Sequence, residues 1–258
     1  MLKWLFPKRP SAPMNIPNIG GGERVYAVGD IHGCHDLLDA LFEKIVEDNL
    51  AQTGHRKMRI VFLGDYIDRG DHSREVLERL IAIKEGLSDQ VEFLAGNHEA
   101  AMLDFLDEPY EGSSWIEMGG RQTLFSFGIR PPMNLDNQAE LLRARDGLQK
   151  EISPYLPFLR DLKRIFWSGD YVFAHAGLNP NATIEEQSDS ALLWGHRDFL
   201  TTKARDGIRV VHGHYADYEP VVMPHRICVD TGAYYSGRLT AIRLDDGEEL
   251  ITVDRMTL

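Results

Sequence analysis

Cysteine is scarce in this chain of 258 residues, which contains only Cys34 and Cys228. Two cysteines cannot build a disulfide framework or a cysteine-rich zinc site, so we expect a protein of the reducing cytoplasm. Long hydrophobic runs are also missing, since no apolar stretch approaches the ~20 residues that a membrane-spanning helix needs. We therefore expect no stable insertion into a membrane.

Positive charge is in deficit as well. The chain has 28 Lys and Arg residues against 40 Asp and Glu residues, which gives a formal net charge of −12. Proteins hold nucleic acids by clustered Lys and Arg residues on the phosphates, so we expect no nucleic-acid partner. An anionic substrate would then need positive charge concentrated at one place, supplied by metal ions or a few arginines. Neither a P-loop nor the glycine fingerprint of dinucleotide binding is present.

The chain divides into a short tail and one larger domain. Residues 1–22 are rich in Pro and Asn and end in three glycines, so we interpret them as a tail and linker. A weak interfacial anchor through Trp4 and Phe6 is the alternative. Strand and helix patterns alternate over residues 23–258, as in βαβ units, and the stretch from 100 to 165 is helical by pattern. The sequence predicts a single α/β catalytic domain with a helical insertion.

Five apolar runs end in short motifs rich in glycine, acids and histidine: "GDIHG", "GDYIDRG", "GNHE", "HAG" and "HGH". Taken singly, each motif is better explained as a capped turn or a helix cap. Together they repeat the same residue types at the same structural position, and the carboxyl ends of strands in an open α/β sheet face one crevice. The residues with metal-competent side chains are Asp30, His32, Asp65, Asp68, Asn97, His98, His175 and His214.

The donor types in this set indicate which metals would bind. Carboxylates, imidazoles and an amide oxygen, without a thiolate, suit manganese, iron or zinc better than a pure calcium or magnesium site. If six of these eight residues act as ligands, they are too many for one ion that keeps an open position. They fit two divalent ions that share one carboxylate and lie ~3.5–4 Å apart, a geometry that serves phosphoryl transfer. We expect manganese, with iron or zinc as the alternatives.

In this order the motifs resemble those of the phosphoprotein phosphatase branch of the calcineurin-like metallophosphoesterases, especially its bacterial and phage-type serine/threonine phosphatases. The resemblance spans about residues 24–243 and extends to "WIEMGGRQTLFSFG" and "DTGAYYSGRLTA". It implies a central β-sandwich flanked by helices, and a metal-dependent hydrolase of phosphate monoesters. The implied substrate is a phosphorylated protein or peptide that carries phosphoserine or phosphothreonine, with phosphotyrosine as an alternative.

The resemblance also implies roles for individual residues. A hydroxide bound to both metals would attack, with His98 as the general acid for the leaving alcohol and Asp68 orienting His98. Arg69 would bind the phosphate oxygens through its fork of donors. The implied metal ligands are Asp30 and His32 for the first ion, Asp65 as the bridge, and Asn97, His175 and His214 for the second ion.

Two points in the resemblance stay open. The family's second phosphate-binding arginine follows a Trp, but His196 takes that position in "LLWGHRDFL", so we assign the role to Arg197, with Arg226 as the alternative. A sister group hydrolyses dinucleoside polyphosphates, such as diadenosine tetraphosphate, with the same metals. That group typically lacks an acid where Asp68 stands. The sequence therefore favours the protein phosphatase and keeps the dinucleoside polyphosphate hydrolase as the alternative.

Overall fold

The computed structural model describes residues 17–202 and 207–258. Most of the predicted tail lies outside the described residues, and so do Trp4 and Phe6 of the alternative membrane anchor. Its last part is described: Ile19 is buried in the core between two sheets, and Gly20–Gly22 form a 3₁₀ turn. The boundary between tail and domain near residue 22 stays a prediction.

Ten strands in the described residues form two five-stranded sheets. The strands are β1 (Glu23–Val28), β2 (Lys57–Phe62), β3 (Val91–Phe93), β4 (Ile165–Ser168), β5 (Tyr171–Ala174), β6 (Arg209–His212), β7 (Val221–Val222), β8 (Arg226–Cys228), β9 (Arg238–Leu244) and β10 (Glu248–Asp254). The first sheet has the order β10-β9-β1-β2-β3, and the second has the order β4-β5-β6-β8-β7. Strands β1, β2 and β3 run parallel to one another, and so do β5, β6 and β8.

Eight α-helices lie in the described residues, and four of them, the third to the sixth, fall between β3 and β4. The helices are α1 (His35–Ala51), α2 (Ser73–Leu87), α3 (Asn97–Asp107), α4 (Gly120–Ser126), α5 (Gln138–Ile152), α6 (Leu156–Arg160), α7 (Asp189–Trp194) and α8 (Ala233–Ser236). The helices from α3 to α6 form the predicted helical insertion. Across residues 17–202 and 207–258, none of the helices combines the length and the apolar character that a membrane crossing demands.

The two sheets pack face to face, and helices cover the other face of the first sheet. Side chains alternate along β1, so Val25 and Ala27 lie in the core between the sheets with Phe173 of β5. Tyr26 and Val28 lie in the second core, which the helices complete. A strand buried on both faces explains why "RVYAV" is a continuous apolar run. The architecture confirms the predicted α/β class with a β-sandwich flanked by helices and a helical insertion.

Two strands that the sequence analysis does not predict lie at the edges of the second sheet. Strands β4 and β7 each pair on one side only. Their exposed side chains include Trp167 on β4 and Val222 on β7. Strand β4 begins with three consecutive apolar residues, Ile165 to Trp167, so the sequence does carry a strand signal there, whereas β7 has only two residues. At the far edge of the first sheet, β9 and β10 pair antiparallel across "DDGE", as predicted.

Candidate active site

The residues predicted to bind metals lie together at the carboxyl ends of parallel strands from both sheets. In chain order they follow β1, β2, β3, β5 and β6, as Asp30 and His32, Asp65, Asn97, His175, and His214. Parallel strands present all of their carboxyl ends at one edge of a sheet. Because the two sheets pack face to face with these edges aligned, loops far apart in sequence meet over the sandwich.

Asp65 lies at the centre of this group. Its Oδ2 is 3.5 Å from Nε2 of His32 and 3.4 Å from Nε2 of His175. Oδ1 of Asn97 lies 2.9 Å from Nε2 of His175 and 3.0 Å from Nδ1 of His214. These five side chains therefore form one continuous cluster around a single carboxylate.

Asp30 completes the cluster and carries an unsatisfied atom. Its Oδ2 accepts the backbone N–H of His214 at 3.0 Å, whereas its Oδ1 is buried without a hydrogen-bond partner among the described residues. Burial and the nearby Asp230 carboxylate raise the pKa of Asp30, and burial raises the pKa of Asp230 to about 6. Asp65 is a third buried carboxylate here. Buried carboxylates at such close range repel, and bound divalent cations would offset that repulsion.

Two imidazoles present lone pairs to the centre of the cluster. Nδ1 of His32 lies 2.9 Å from the carbonyl of Ile67, and Nδ1 of His175 lies 3.0 Å from the carbonyl of Leu63. Each Nδ1–H donates to its carbonyl, so each Nε2 faces Asp65 with a lone pair. Burial lowers the pKa of His32 to about 3 and also lowers that of His175, so both rings are neutral at pH 7. Neutral imidazoles oriented by a backbone carbonyl are typical metal ligands.

Two triads of side chains in the cluster could each hold a cation. The ligand atoms of His32, Asp65 and His98 all lie within 4.8 Å of one another, and the same is true of Asp65, His175 and His214. Asp65 belongs to both triads, as a bridging carboxylate would. Converging lone pairs and a buried carboxylate oxygen without a donor fit two divalent ions rather than a network of hydrogen bonds.

The backbone at this site adopts a conformation that is unfavourable for residues other than glycine. Five of the six non-glycine residues with positive φ in the described part of the chain lie here: His32 (45°), Asp65 (52°), Asp68 (72°), Arg69 (67°) and His214 (65°). Left-handed backbone costs of order 1 kcal/mol or more per residue and persists where the surrounding structure enforces it. The strained backbone of these loops lowers the stability of the fold, and it orients these side chains toward one point.

Gly213 lies so close to the Asp30 carboxylate that a methyl group cannot fit. An ideal Cβ on Gly213 would be 1.9 Å from Oδ1 of Asp30. We expect Gly213→Ala to displace that carboxylate and to weaken metal binding by about 10–100-fold, the range seen when ligand orientation is disturbed. Competition with a chromogenic chelator measures this. Gly86→Ala is the control, because its Cβ would meet nothing within 4 Å. Equal affinities of the two variants would contradict the expectation.

His98 and Asp68 form a buried pair beside the cluster. Nδ1 of His98 lies 2.7 Å from Oδ2 of Asp68, and both side chains are fully buried. Nε2 of His98 is 3.9 Å from Oδ2 of Asp65 and has no hydrogen-bond partner in the described residues. Burial opposes protonation of His98, but the Asp65 charge and the bond to Asp68 outweigh burial and raise its pKa. A protonated His98 would point its free N–H at the cluster, as a general acid must.

Arg69 lies at the rim of the cluster. Its Nη1 is 3.2 Å from Nε2 of His32, and its guanidinium carbon is 5.1 Å from the ring centroid of Tyr234. It follows Asp68 directly in the chain, and both residues have left-handed backbone. Its Nε lies 3.5 Å from the carbonyl of Met118. The role of Arg69 in binding phosphate oxygens stays a prediction.

The two candidates for a second phosphate-binding arginine are placed differently. The side chain of Arg197 is 89% exposed, with Nε 3.6 Å from Oδ1 of Asp198. Arg226 is buried, and its Nη1 lies 3.3 Å from Nε2 of His212. None of these contacts involves a predicted metal ligand. The assignment of Arg197, with Arg226 as the alternative, stays a prediction.

The sequence model of the calcineurin-like phosphoesterases matches residues 23–246. This chain belongs to that family. The family is dimetal-dependent, in agreement with the two triads that share Asp65, and its members are hydrolases. Manganese as the metal is not part of this finding.

Two relatives match the phosphoesterase over most of its length. An asymmetrical bis(5′-nucleosyl)-tetraphosphatase, PrpE, from Oceanobacillus iheyensis is 27% identical over 251 residues, which covers 90% of this chain and 93% of the relative. A symmetrical bis(5′-nucleosyl)-tetraphosphatase from Klebsiella pneumoniae is 26% identical over 267 residues, with 86% and 91% coverage. A solved protein serine/threonine phosphatase from Saccharomyces cerevisiae is 16% identical, with a TM-score of 0.58 and coverage of 90% and 80%. That likeness supports the fold alone.

The predicted phosphoprotein substrate is wrong. The two relatives described above, which match over nearly their full length, are named for dinucleoside tetraphosphates. The inference from Asp68 fails for a physical reason. Asp68 bonds to His98 and orients it. This interaction is the same for every leaving group, so the presence of Asp68 gives no information about the rest of the substrate. The resemblance to the family holds, but its assignment to the phosphoprotein phosphatase branch is not supported.

Sequence reasoning misses two residues that hold Asp68 in the phosphoesterase. Trp115 donates its indole N–H to Oδ2 of Asp68 at 2.7 Å, and Thr123 donates its hydroxyl to Oδ1 at 2.6 Å. Both side chains are fully buried. They come from the segment "WIEMGGRQTLFSFG", which the sequence marks as family-like without a role. The structure supplies the role, since this segment fixes the carboxylate that orients His98.

Replacement of Thr123 by valine tests this support. The Thr123 hydroxyl also accepts the N–H of Asp68 at 3.0 Å and contacts the hydroxyl of Ser73 at 3.0 Å. Valine keeps the shape, and the N–H of Asp68 keeps its bond to Oγ of Ser73 at 3.1 Å. Oδ1 of Asp68 and the hydroxyl of Ser73 lose a partner, and a buried polar atom left unpaired costs about 1–3 kcal/mol. We expect this loss in urea unfolding, together with a lower kcat. Thr53→Val, on an exposed residue, is the control; if both variants unfold alike, the Thr123 network contributes nothing.

Glu99, the last residue of "GNHE", is a second feature without a predicted role. It is buried and accepts backbone N–H groups from Asp65 at 2.9 Å, Tyr66 at 2.8 Å and Gly96 at 2.9 Å. One carboxylate thus ties the loop after β2 to the start of α3. Burial and the Asp65 charge raise its pKa to about 7. The four-residue motif therefore contains a predicted ligand, a predicted acid and the residue that positions Asp65.

Proposed function

We propose that this phosphoesterase hydrolyses dinucleoside polyphosphates such as diadenosine tetraphosphate. The observation that carries the proposal is the similarity over 86% or more of the chain to two bis(5′-nucleosyl)-tetraphosphatases, one asymmetrical and one symmetrical. The geometry is compatible with this substrate, because one cation cluster, one arginine and one buried imidazole acid lie within contact of one another.

The proposed chemistry divides between the metals and the chain. Two bound divalent ions would supply positive charge and lower the pKa of water. Asp30, His32, Asp65 and their partners would hold these ions. Arg69 would bind the oxygens of the attacked phosphate. His98, held by Asp68, would give its Nε2 proton to the leaving phosphate oxygen.

Charge placement suits a polyphosphate. The whole chain has a net charge of −12 and repels such a substrate at long range. Attraction must therefore be local, and Arg69 together with two divalent ions supplies it at one point. The acidic surface then disfavours long polyanions such as nucleic acids, while a short polyphosphate can still reach the cluster.

The test is hydrolysis of diadenosine tetraphosphate by the purified full chain with manganese, followed by chromatography of the products. We expect nucleotides to be released and the chelator EDTA to stop the reaction. Adenosine diphosphate alone would indicate symmetrical cleavage, and equal amounts of ATP and AMP would indicate asymmetrical cleavage. The proposal fails if no nucleotide appears while the same preparation hydrolyses 4-nitrophenyl phosphate. Manganese as the bound metal and the roles of His98, Asp68 and Arg69 are parts of the proposal.

A further inference from the structure

Three exposed tyrosines form a cluster next to the metal-binding residues. The tyrosine cluster consists of Tyr218, Tyr234 and Tyr235, which are 65%, 38% and 43% exposed. The ring centroids of Tyr234 and Tyr235 are 5.0 Å apart, and those of Tyr218 and Tyr235 are 5.5 Å apart; both pairs are edge-to-face. Single exposed aromatic residues are common, but a contiguous exposed patch of three is typical of a binding surface.

The cluster is continuous with the active site. The Tyr234 ring lies 5.4 Å from the His32 ring, and its face receives the Arg69 guanidinium at 5.1 Å. Tyr235 is one ring further out, and Tyr218 lies beyond Tyr235. A substrate group bound at Tyr218 and Tyr235 would therefore be separated from the reacting phosphorus by the span of Tyr234 and Arg69. A nucleoside joined through a phosphate chain has this arrangement.

The backbone under the cluster holds the rings in place. Tyr234 and Tyr235 lie on the single turn α8, between Gly232 and Gly237, which both have left-handed φ values of 64° and 73°. A Cβ on Gly232 would be 2.1 Å from Cζ of Tyr235, so the ring packs directly on the glycine backbone. The hydroxyl of Ser236 in the same turn donates to the carbonyl of Thr231 at 2.6 Å. Rings fixed before binding lose little entropy when a ligand stacks on them.

Charge changes sign along the cluster. Arg69 lies at the Tyr234 end, where phosphates would sit. The acids Asp217 and Glu219 flank Tyr218 in the chain at the other end, and all three are exposed. Glu219 is paired with Nη1 of Arg238 at 2.5 Å, whereas no ion pair of Asp217 lies in the described residues. The Asp217 carboxylate repels phosphate but leaves an uncharged, flat aromatic group unaffected. The outer part of the cluster therefore selects for a base rather than for another phosphate.

An apolar cavity elsewhere in the structure is too small to bind a nucleobase. It lies behind Phe199 on the outer face of β6, lined by Leu178 and Val210 among others, and its volume is about 50 Å³. Such a space holds no more than a few water molecules. It therefore has no room for a purine base.

We propose that the tyrosine cluster binds one nucleobase of the substrate by stacking on Tyr235 and Tyr218. The inference rests on the proposed function, since it assigns the base of a dinucleoside polyphosphate to this surface. Stacking of a base on an aromatic side chain contributes about 1–3 kcal/mol. Removal of one ring should therefore weaken nucleotide binding about 5- to 150-fold, by the usual conversion of 1.4 kcal/mol per factor of ten.

The test separates base from phosphate. ADP and inorganic pyrophosphate are used as competitive inhibitors of 4-nitrophenyl phosphate hydrolysis by the manganese-loaded full chain. We expect the wild-type protein to bind ADP more tightly than pyrophosphate. In Tyr235→Ala and in Tyr218→Ala, the ratio of the two inhibition constants should fall toward one, whereas Tyr235→Phe should keep it. Tyr110→Ala, on a tyrosine that is 41% exposed elsewhere in the chain, is the matched control.

The outcomes distinguish this inference from the proposed function. An unchanged ratio in both alanine variants, or equal binding of ADP and pyrophosphate by the wild type, overturns the base site. If diadenosine tetraphosphate is not hydrolysed, the proposed function fails, yet the inhibition constants still show whether the cluster recognises a base. If hydrolysis occurs and the ratio does not move, the function stands and the cluster is excluded as the base site.

Discussion

Replacement of His98 by asparagine is expected to lower kcat by ~100–10,000-fold, the usual contribution of a positioned general acid. His98 is fully buried, its Nδ1 is 2.7 Å from Asp68, and its Nε2 faces the metal cluster without a partner in the described residues. Asparagine keeps a donor toward Asp68 but cannot protonate a leaving group. Metal content should stay near the wild-type value, because the predicted ligands are unchanged. Elemental analysis of the purified variant, alongside kcat, measures both quantities.

The leaving group sharpens this prediction. A nucleotide phosphate is a weaker base than an alkoxide, so it needs less help from an acid, and the loss with diadenosine tetraphosphate should fall at the lower end of the range. The loss should be larger with phenyl phosphate than with 4-nitrophenyl phosphate, since phenolate is the more basic leaving group. Equal losses with both esters would mean that His98 does not protonate the leaving oxygen. His55→Asn, on an exposed histidine, is the control.

Metal content itself separates two roles for His98. Its ligand atom lies within 4.8 Å of those of His32 and Asp65, so the geometry alone also permits a ligand. If His98→Asn loses metal in proportion to activity, His98 is a ligand or a structural residue. If metal stays bound and turnover falls, it acts on the substrate.

Replacement of Asp65 by asparagine should weaken both metal ions together. Oδ2 of Asp65 lies within 3.5 Å of ring nitrogens in each triad, so one negative charge serves both sites. Asparagine preserves the shape, and its side-chain oxygen can still accept the backbone N–H of His98, which donates to Oδ1 of Asp65 at 3.1 Å. The fold should therefore persist while affinity for both ions falls by more than the ~100-fold that marks the loss of an outer-shell partner.

Titration with manganese, monitored by competition with a chelator, resolves the two binding steps. Asp246→Asn is the control, because that carboxylate is 87% exposed on the turn between β9 and β10. One ion bound with wild-type affinity in Asp65→Asn would show that Asp65 does not bridge. Circular dichroism of the metal-free variant and wild type then checks that the sandwich is intact.

The placement of the metal-binding residues could be predicted from the sequence because it depends on local signals. Each apolar run marks a strand, and each motif that follows carries glycine beside an acid or a histidine, as in Gly29-Asp30 and Gly64-Asp65. The rule that parallel strands share one carboxyl edge then brings the motifs together without any knowledge of the contacts. The α/β class and the grouping of these side chains follow from this reasoning, whereas the β-sandwich is implied by the resemblance to the family.

Contacts between distant segments could not be predicted in this way. Asp68 is held by Trp115 and Thr123, which are 47 and 55 residues away in sequence, and no periodicity links them. Glu99 looks like an ordinary helix residue until the loop after β2 is seen to donate to it. Substrate identity depends on surfaces beyond the metal cluster, such as the one that contains Tyr235. For that reason Asp68, a residue of the shared chemistry, misled the choice between phosphoprotein and dinucleoside polyphosphate.

Four of the predicted ligands come from the first sheet and two, His175 and His214, come from the second. Ions bound among them would link the two sheets at the edge where the carboxyl ends of their parallel strands meet. Unfolding of either layer would then require release of the ions, and the melting temperature should rise with free metal concentration by mass action. The bound ions that take part in catalysis would therefore also increase the thermal stability of the protein.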